Sequence, residues 1–405
     1  MPKVKIGILR EGKVPIDRRV PFTPLQAAEL VRTFPEIKLL VQRSDIRCFS
    51  DQEYKSEGVE VVDSVNECDI LFGVKEVPVH ELIPGKTYFF FSHTIKKQPY
   101  NRSLLQSIVK DKIRLIDYEI LTNDQGQRIV AFGRWAGIVG AYNGILTYGK
   151  KHHLFDLRRA HECHDLEDLK SEFQKAKLPP VKIVVTGGGR VSQGAMEVLK
   201  GMNIEQVTPD NFLHKEFSNP VFTQLNPEDY NRHKDQREFD LKDFFSSPEN
   251  YLGQFSEYTK NADILIAAAY WDPRSPVLFT KNDMLDPEFK IDVIADITCD
   301  IEGSIPSTKK ASTIDDPVYD YNPKRDQLEA AFSNEKNVSV MAVDNLPCEL
   351  PRDASASFGK ELTKNVIPHL LLGDKEGVIA RATITENGML TKKYAYLQDY
   401  LEGKS

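Results

Sequence analysis

Residues 184–195 read VVTGGGRVSQGA, and this stretch decides the fold. A run of β-branched residues enters it, and residues 195–199 leave it with a helical pattern of apolar side chains. Gly187 suits a tight turn, and Gly189 suits a close backbone approach to a pyrophosphate at the N-terminus of the following helix. The stretch therefore predicts a strand, a turn and a helix that together bind a dinucleotide.

The glycine pattern departs from the usual dinucleotide fingerprint at its third position. Ser192 stands where the third glycine is expected, and Gly194 follows two residues later. A tight structural turn with no ligand is the alternative interpretation of such a motif. The predicted cofactor-binding residues are Gly187, Gly188, Gly189, Arg190 and Val191.

The residue that would bind the adenosine ribose is less clear. An acidic residue is expected about 20 positions after the first glycine, but the strand there ends near Val207 or Thr208. Asp210 is one candidate, although it also suits a helix cap. Lys215 lies downstream and would suit a 2′-phosphate. The sequence thus leaves both NAD and NADP open as the cofactor.

Two runs of alternating strand and helix patterns predict an α/β protein with open, mostly parallel sheets. In the first run Thr23, Pro24 and Gln26 predict a capped helix start. The predicted strands of this run are residues 3–9, 38–41, 59–62, 69–72, 87–91 and 113–117. After Pro180 the second run has predicted strands at 181–185, 263–268 and 293–297.

Four further segments complete this organisation. Residues 136–146 are rich in glycine and alanine and predict a tightly packed helix. Residues 211–257 are long and polar, and they predict a partly helical insertion in the second run. Helices are predicted again at 354–372 and 392–401.

Composition excludes several classes of function. The chain has 405 residues and a net charge of -7, which argues against a nucleic-acid binder or a polybasic membrane patch. The five cysteines are scattered and form no CxxC pair, and no HExxH motif occurs, so no metal site is predicted. No targeting segment and no run of about 20 apolar residues is visible, which predicts a cytoplasmic protein without a membrane partner.

Ionisable residues follow the predicted strands of the first run. Lys75, His93 and Glu119 each come just after a strand, where open α/β sheets bind their ligands. A lysine and a histidine beside a carboxylate suit proton transfer at neutral pH. Arg19 and Arg128 suit bidentate binding of substrate carboxylates. Each residue also has a structural alternative, as a solvated charge, a satisfied core histidine or a partner in an ion pair.

These motifs resemble the alanine dehydrogenase, pyridine-nucleotide transhydrogenase and saccharopine dehydrogenase superfamily over nearly the whole chain. The general marks are RVPFTP at 19–24, GVKE at 73–76 and the glycine-rich turn. The marks of the lysine-forming saccharopine branch are FSHT at 91–94, RLIDYE at 114–119, NDQGQR at 123–128, AFGRWAG at 131–137, ADITCD at 295–300, GSI at 303–305, VDNLP at 343–347 and PRDA at 351–354.

The resemblance implies a reaction of lysine metabolism. The ε-amine of L-lysine condenses with 2-oxoglutarate, and hydride from NADH or NADPH reduces the imine to saccharopine. It implies acid–base roles for Lys75 and His93, with Glu119 tuning their pKa values, and carboxylate binding by Arg19 and Arg128. Asp296 joins the cofactor-binding residues on the same ground. The implied partners are small molecules of amino-acid metabolism: lysine, 2-oxoglutarate and saccharopine.

The resemblance also implies two Rossmann-like domains, the cofactor domain inserted within the catalytic one. The catalytic domain would comprise residues 1–135 and 346–405, and the NAD(P)-binding domain residues 136–345. Alanine dehydrogenase, acting on pyruvate and ammonia, and a non-catalytic dinucleotide sensor are the alternative functions. The oligomeric state stays open, with a homo-oligomer among the options.

Overall fold

The computed structural model describes residues 4–404, so residue 3 of the first predicted strand lies outside the described part. The chain divides into two compact units. The first runs to Phe132 and resumes at Pro351, and the second is the continuous segment Gly133–Leu350. Each unit contains a mostly parallel eight-stranded sheet with helices, which confirms the predicted α/β fold class.

The first segment of the first unit supplies six strands and three helices. The strands are β1 (Val4–Ile8), β2 (Ile37–Gln42), β3 (Glu60–Val62), β4 (Ile70–Phe72), β5 (Thr87–Phe90) and β6 (Arg114–Asp117). The helices are α1 (Pro24–Thr33), α2 (Asp51–Ser56) and α3 (Arg102–Lys110). Helix α1 starts as predicted, because the Thr23 side chain accepts from the Gln26 N–H and the Gln26 side chain accepts from the Thr23 N–H.

The second unit supplies ten strands and seven helices in its described residues. The strands are β7 (Lys182–Thr186), β8 (Glu205–Gln206), β9 (Val221–Leu225), β10 (Asn231–His233), β11 (Tyr251–Gly253), β12 (Ile264–Ala267), β13 (Val293–Asp296), β14 (Val318–Asn322), β15 (Gln327–Glu329) and β16 (Val338–Met341). The helices are α4 (Gly133–Lys151), α5 (Leu166–Phe173), α6 (Arg190–Gly201), α7 (Pro209–His214), α8 (Pro227–Tyr230), α9 (Leu241–Ser246) and α10 (Ser256–Thr259).

The last segment returns to the first unit with four helices and a hairpin. The helices are α11 (Pro351–Asn365), α12 (Ile367–Leu372), α13 (Val378–Ala382) and α14 (Gln398–Leu401), and the strands are β17 (Thr383–Glu386) and β18 (Met389–Leu390). Among the described residues, no helix of the chain combines the length and apolar character that crossing a membrane requires.

In the first sheet the strand order is β18-β17-β6-β5-β4-β1-β2-β3. The strands from β6 to β3 pair in parallel, whereas the hairpin β17–β18 adds antiparallel strands beside β6. Because β1, β4, β5 and β6 are consecutive parallel neighbours, their carboxyl ends lie side by side at one edge of the sheet.

In the second sheet the order is β15-β14-β16-β13-β12-β7-β9-β8. Strand β9 pairs between β7 and the edge strand β8 and is almost wholly buried. The segment 211–257, expected to be an insertion, therefore contains a strand of the main sheet. The sequence pattern did not predict this strand, because an Asn-Pro pair flanks it on each side and the polar residues Thr223 and Gln224 interrupt its apolar residues.

Helix α4 packs against α6 through glycines at which no side chain would fit. A Cβ atom added at Gly137 would lie 1.8 Å from the Val191 carbonyl oxygen, and one added at Gly194 would lie 2.1 Å from the Arg134 carbonyl oxygen. The tightly packed helix expected at 136–146 therefore lies within α4, and its close partner is α6 of the same unit.

Candidate functional site

Charged side chains gather at the carboxyl edge of the first sheet. Glu11 follows β1, Lys75 and Glu76 follow β4, and His93 follows β5. The sequence predicted Lys75 and His93 at this edge, and the strand order makes their strands direct neighbours. It did not single out the two glutamates, although both follow strands in the same way.

His93 is held by the carboxylate of Glu76. Its backbone has φ 53°, and its Nδ1 lies 2.5 Å from Glu76 Oε1. Burial opposes ionisation of Glu76, but the hydrogen bond from His93 and the Lys13 ammonium, 2.6 Å from Oε2, lower its pKa to about 2. An ionised carboxylate only accepts, so Nδ1 carries the proton and Nε2 is the nitrogen available for acid–base work.

Lys75 is half-buried beside this pair. Burial lowers the pKa of its ammonium below the ordinary lysine value, and the nearby Arg19 and Lys13 cations lower it further. A lysine perturbed in this way provides a neutral amine at a lower pH than a solvated one. Such perturbation at the edge of a sheet is typical of functional sites.

Glu11 fixes the backbone of the Lys75 loop. Its two carboxyl oxygens accept from Val74 N at 2.7 Å and from Lys75 N at 2.9 Å. Burial and the negative charge of Asp17 raise the pKa of Glu11 to about 8, against the effect of those hydrogen bonds. Glu11 thus positions Lys75 through the main chain.

Arg19 is buried and already engaged. Its Nε and one terminal nitrogen donate to the two oxygens of Asp17 at 3.0 and 2.5 Å, and its guanidinium lies 4.2 Å from the centre of the Phe132 ring. Asp17 therefore occupies one edge of the Arg19 guanidinium group and fixes the orientation of that group. Arg128 donates from Nε to Val130 O at 3.1 Å and lies over the Phe91 ring.

Glu119 has a different environment from the one expected. It pairs with Lys96 at 3.4 Å, and its backbone N–H donates to Asp117, which also accepts from the Ser92 N–H and hydroxyl. In the described part of the chain, the carboxylate in contact with His93 is that of Glu76. The sequence could not show this, because the contact depends on β4 and β5 being neighbours.

The glycine-rich turn of the second unit has the geometry that the motif predicts. Gly187 has φ 93°, and a Cβ atom added there would lie 3.0 Å from Ala269 Cα. A Cβ atom at Gly189 would enter open space beside the start of α6, which leaves room for a ligand against the helix N-terminus. The Ser192 hydroxyl donates to Gly189 O at 2.8 Å.

A cavity of about 560 Å³ opens beside this turn. The turn residues 187–191 line it, together with residues after β9 and β12 and the side chains of α9. Its volume lies in the range of small-molecule and cofactor sites. The turn, the helix start and the cavity thus fit the adenosine and pyrophosphate of a dinucleotide.

Asp296 is not among the residues that line this cavity. It is buried at the end of β13, and its oxygens accept from Thr298 Oγ1 and Thr308 Oγ1, both at 2.6 Å. Burial raises its pKa in spite of these hydrogen bonds. Its visible role is to hold the loop after β13. Over residues 4–404, no group of histidine, cysteine and acidic side chains is arranged to hold a metal ion.

Known proteins resemble the chain over both units. Residues 7–139 match the alanine dehydrogenase/PNT N-terminal domain, and residues 173–398 match the C-terminal domain. Alpha-aminoadipic semialdehyde synthase of Rattus norvegicus, named as mitochondrial, is 31% identical over 99% of this chain and 48% of its own length. The chain therefore spans about half the length of that relative. The predicted cytoplasmic location stays a prediction.

Two further similarities concern a relative of similar length and a solved structure. Saccharopine dehydrogenase [NAD(+), L-lysine-forming] of Candida albicans is 25% identical over 89% of this chain and 90% of its own. A solved L-alanine dehydrogenase has a TM-score of 0.65 at 16% identity, over 99% of this chain and 100% of that one, which shows a shared fold. The chain belongs to the alanine dehydrogenase/PNT family, and its relatives include dehydrogenases named for NAD.

Proposed function

We propose that the chain is an NAD(P)-dependent oxidoreductase that interconverts saccharopine with L-lysine and 2-oxoglutarate. The observation that carries this proposal is the contact between His93 and Glu76 beside the half-buried Lys75. The family match supports a dehydrogenase, and the named saccharopine dehydrogenases and semialdehyde synthases support this amino-acid substrate.

Formation of saccharopine from lysine and 2-oxoglutarate requires proton transfers to and from the reacting nitrogen and oxygen atoms. The ε-amine of lysine attacks the keto carbon of 2-oxoglutarate, the resulting hydroxyl leaves as water, and a C=N bond forms. A nicotinamide cofactor held at the glycine-rich turn would supply hydride to the carbon of the protonated imine, which would give the secondary amine of saccharopine. We assign the proton transfers to Lys75 Nζ and His93 Nε2, since burial lowers the pKa of the Lys75 ammonium and the contact with Glu76 leaves Nε2 of the imidazole available.

Cationic side chains near this edge fit the substrate charges. Saccharopine carries three carboxylates, and 2-oxoglutarate carries two. Arg19 and Arg128 remain the proposed carboxylate-binding residues, with Arg19 held in a fixed direction by Asp17. Glu119 remains a proposed member of the site through its pair with Lys96, whereas Glu76 is the carboxylate we propose to orient His93.

Substitution of Lys75 tests the acid–base assignment. Lys75→Met should lower kcat with lysine and 2-oxoglutarate by about 10²–10⁴-fold, because one positioned acid–base group contributes that much. Cofactor binding should persist. The exposed Lys110 on α3 provides a matched control, so Lys110→Met should leave kcat unchanged. Unchanged turnover in Lys75→Met would refute the assignment, and turnover only with pyruvate and ammonia would favour alanine dehydrogenase instead.

A further inference from the structure

The two arginines proposed to bind substrate carboxylates lie over aromatic rings. The guanidinium carbon of Arg19 lies 4.2 Å from the centre of the Phe132 ring, and that of Arg128 lies 5.2 Å from the centre of the Phe91 ring. At both distances the negative face of a ring attracts a cation. All four residues belong to the first unit. Each arginine therefore has an aromatic contact in addition to its hydrogen bonds.

The two rings belong to one packed cluster. The ring centres of Phe91 and Phe132 are 6.0 Å apart. Phe358 stacks on Phe132 at 4.4 Å with an interplanar angle of 13°, and its ring centre lies 5.9 Å from that of Phe91. Tyr118 meets Phe91 and Phe358 edge-on at 5.2 and 5.0 Å. We call these four residues the aromatic platform.

The aromatic platform is assembled from distant parts of the chain. Phe91 directly follows β5, Tyr118 directly follows β6, and Phe358 lies on α11 of the segment that returns to the first unit. All four rings are buried. Buried side chains in a close-packed interior are held in one rotamer, and rings in edge-on or offset contact stabilise one another further. The platform thus presents ring faces of fixed position to the arginines.

Arg19 shows what a ring adds to an ion pair. Asp17 accepts hydrogen bonds from Nε and one terminal nitrogen of Arg19, which fixes one edge of the guanidinium group. Two hydrogen bonds along one edge still allow the plane of the group to tilt about that edge. The Phe132 ring against the face of the group limits this tilt, since a planar guanidinium packs on an aromatic face. Loss of the ring would leave the ion pair in place but would release the plane.

Phe91 contacts two proposed site residues. Arg128 lies over its ring, and the His93 imidazole lies nearly parallel to that ring, with an interplanar angle of 17° and 6.4 Å between the ring centres. One buried ring therefore adjoins a proposed carboxylate-binding residue and a proposed proton-transfer residue. A change at Phe91 should affect substrate binding and proton transfer, whereas a change at Phe132 should affect mainly binding.

We infer that the aromatic platform positions the two arginines for substrate carboxylates. Phe132 holds the plane of Arg19, Phe91 holds the plane of Arg128, and Phe358 packs the two rings together. Bidentate binding of a carboxylate requires a correctly oriented guanidinium plane, and a plane fixed in advance loses less conformational freedom on binding. The rings are positioning residues, because they act through the arginines. This inference rests on the proposed function, which assigns the substrate carboxylates to these arginines.

Saccharopine is the probe for this inference, because it carries three carboxylates in one molecule and is not oxidised without a cofactor. Calorimetric titration of the full chain gives its Kd, and oxidation with NAD or NADP gives KM and kcat. Phe132→Leu removes the ring but keeps an apolar side chain, so it should raise Kd and KM about 3- to 30-fold and change kcat much less. Phe132→Tyr retains the ring and should restore both constants.

Phe91→Leu is the second variant, and Phe90→Leu is the matched control. Phe91→Leu should raise KM and also change the shape of the pH–rate profile, because its ring adjoins His93. Phe90 is equally buried in the next position of the chain, but it packs in a separate hydrophobic cluster. Phe90→Leu should therefore lower Tm without changing the Kd of saccharopine.

Three results would overturn the inference: an unchanged Kd in Phe132→Leu, an equal increase in Phe90→Leu, or a Phe132→Tyr variant that binds no better than Phe132→Leu. A native chain that binds saccharopine without oxidising it would refute the proposed reaction, and the comparison of Kd values would still decide the role of the platform. A native chain that does not bind saccharopine would overturn both.

Discussion

At the scale of single residues, the proposed site contains one carboxylate that contacts the histidine of the acid–base pair. Glu76 is nearly buried, ionised and in contact with His93 Nδ1. A carboxylate in this position selects the imidazole tautomer and its direction, as in other sites where a second residue orients a functional histidine.

Removal of that charge tests the arrangement. Glu76→Gln should lower kcat about 10- to 100-fold with a smaller change in KM, because the imidazole loses its fixed tautomer while the substrate carboxylates keep their partners. Steady-state kinetics over a range of pH provides the measurement, and the shape of the pH–rate profile should change as well. Glu119→Gln is the comparison variant. A large loss of kcat in Glu119→Gln, with no loss in Glu76→Gln, would show that Glu119 and not Glu76 supports the catalytic histidine.

The raised pKa of Glu11 predicts that the stability of the folded chain depends on pH. Burial and the Asp17 charge raise the pKa of Glu11 from 4.5 to about 8. The folded chain therefore keeps a proton that the unfolded chain loses above about pH 4.5, so this contribution to stability declines as the pH rises from about 4.5 to about 8. In Glu11→Gln, Tm should fall less between pH 5 and pH 8 than in the native chain, by a few degrees.

Calorimetric scans at both pH values provide this comparison. The exposed Glu36 is a suitable control, and Glu36→Gln should reproduce the native pH dependence. Parallel Tm curves for Glu11→Gln and the native chain would contradict the assigned pKa shift.

At the scale of elements, much of the fold could be predicted from hydrophobic patterning. The strands of the first sheet fall close to the predicted ranges, because short apolar runs flanked by turn residues are a strong local signal. Strand β9 was missed, since two Asn-Pro pairs and polar residues mask a strand that is buried by its position between β7 and β8. Sheet order is a property of the whole unit, so no local pattern reveals it.

Contact between α4 and α6 gives a prediction at this scale. Gly137→Ala should lower the free energy of unfolding by about 1–3 kcal/mol or more, because the new methyl group would meet the rigid main chain at Val191. Urea denaturation measures the change. Gly133→Ala on the same helix is the control, since its Cβ would lie 3.3 Å from Arg190 Cβ, a close contact and not an overlap, and it should cost much less. Equal stability of the two variants would contradict the packing described.

At the scale of the whole molecule, the chemistry is divided between the two units. The first unit carries the proposed acid–base residues at the carboxyl edge of its sheet, and the second carries the glycine-rich turn and the cavity beside it. The sequence predicted that both groups of residues follow strands, as the strand-end rule for open α/β sheets requires, and the structure places Lys75 after β4, His93 after β5 and Gly187 after β7. The contact of His93 with Glu76 could not be predicted, because it depends on β4 and β5 being neighbours in the sheet.

Oxidation of NADH and of NADPH by the native chain, followed by absorbance with lysine plus 2-oxoglutarate, tests the central claim most directly. Pyruvate plus ammonia is the parallel control reaction. We predict oxidation that requires both lysine and 2-oxoglutarate and yields saccharopine. Oxidation only with pyruvate and ammonia, or no oxidation in either mixture, would contradict the proposed reaction.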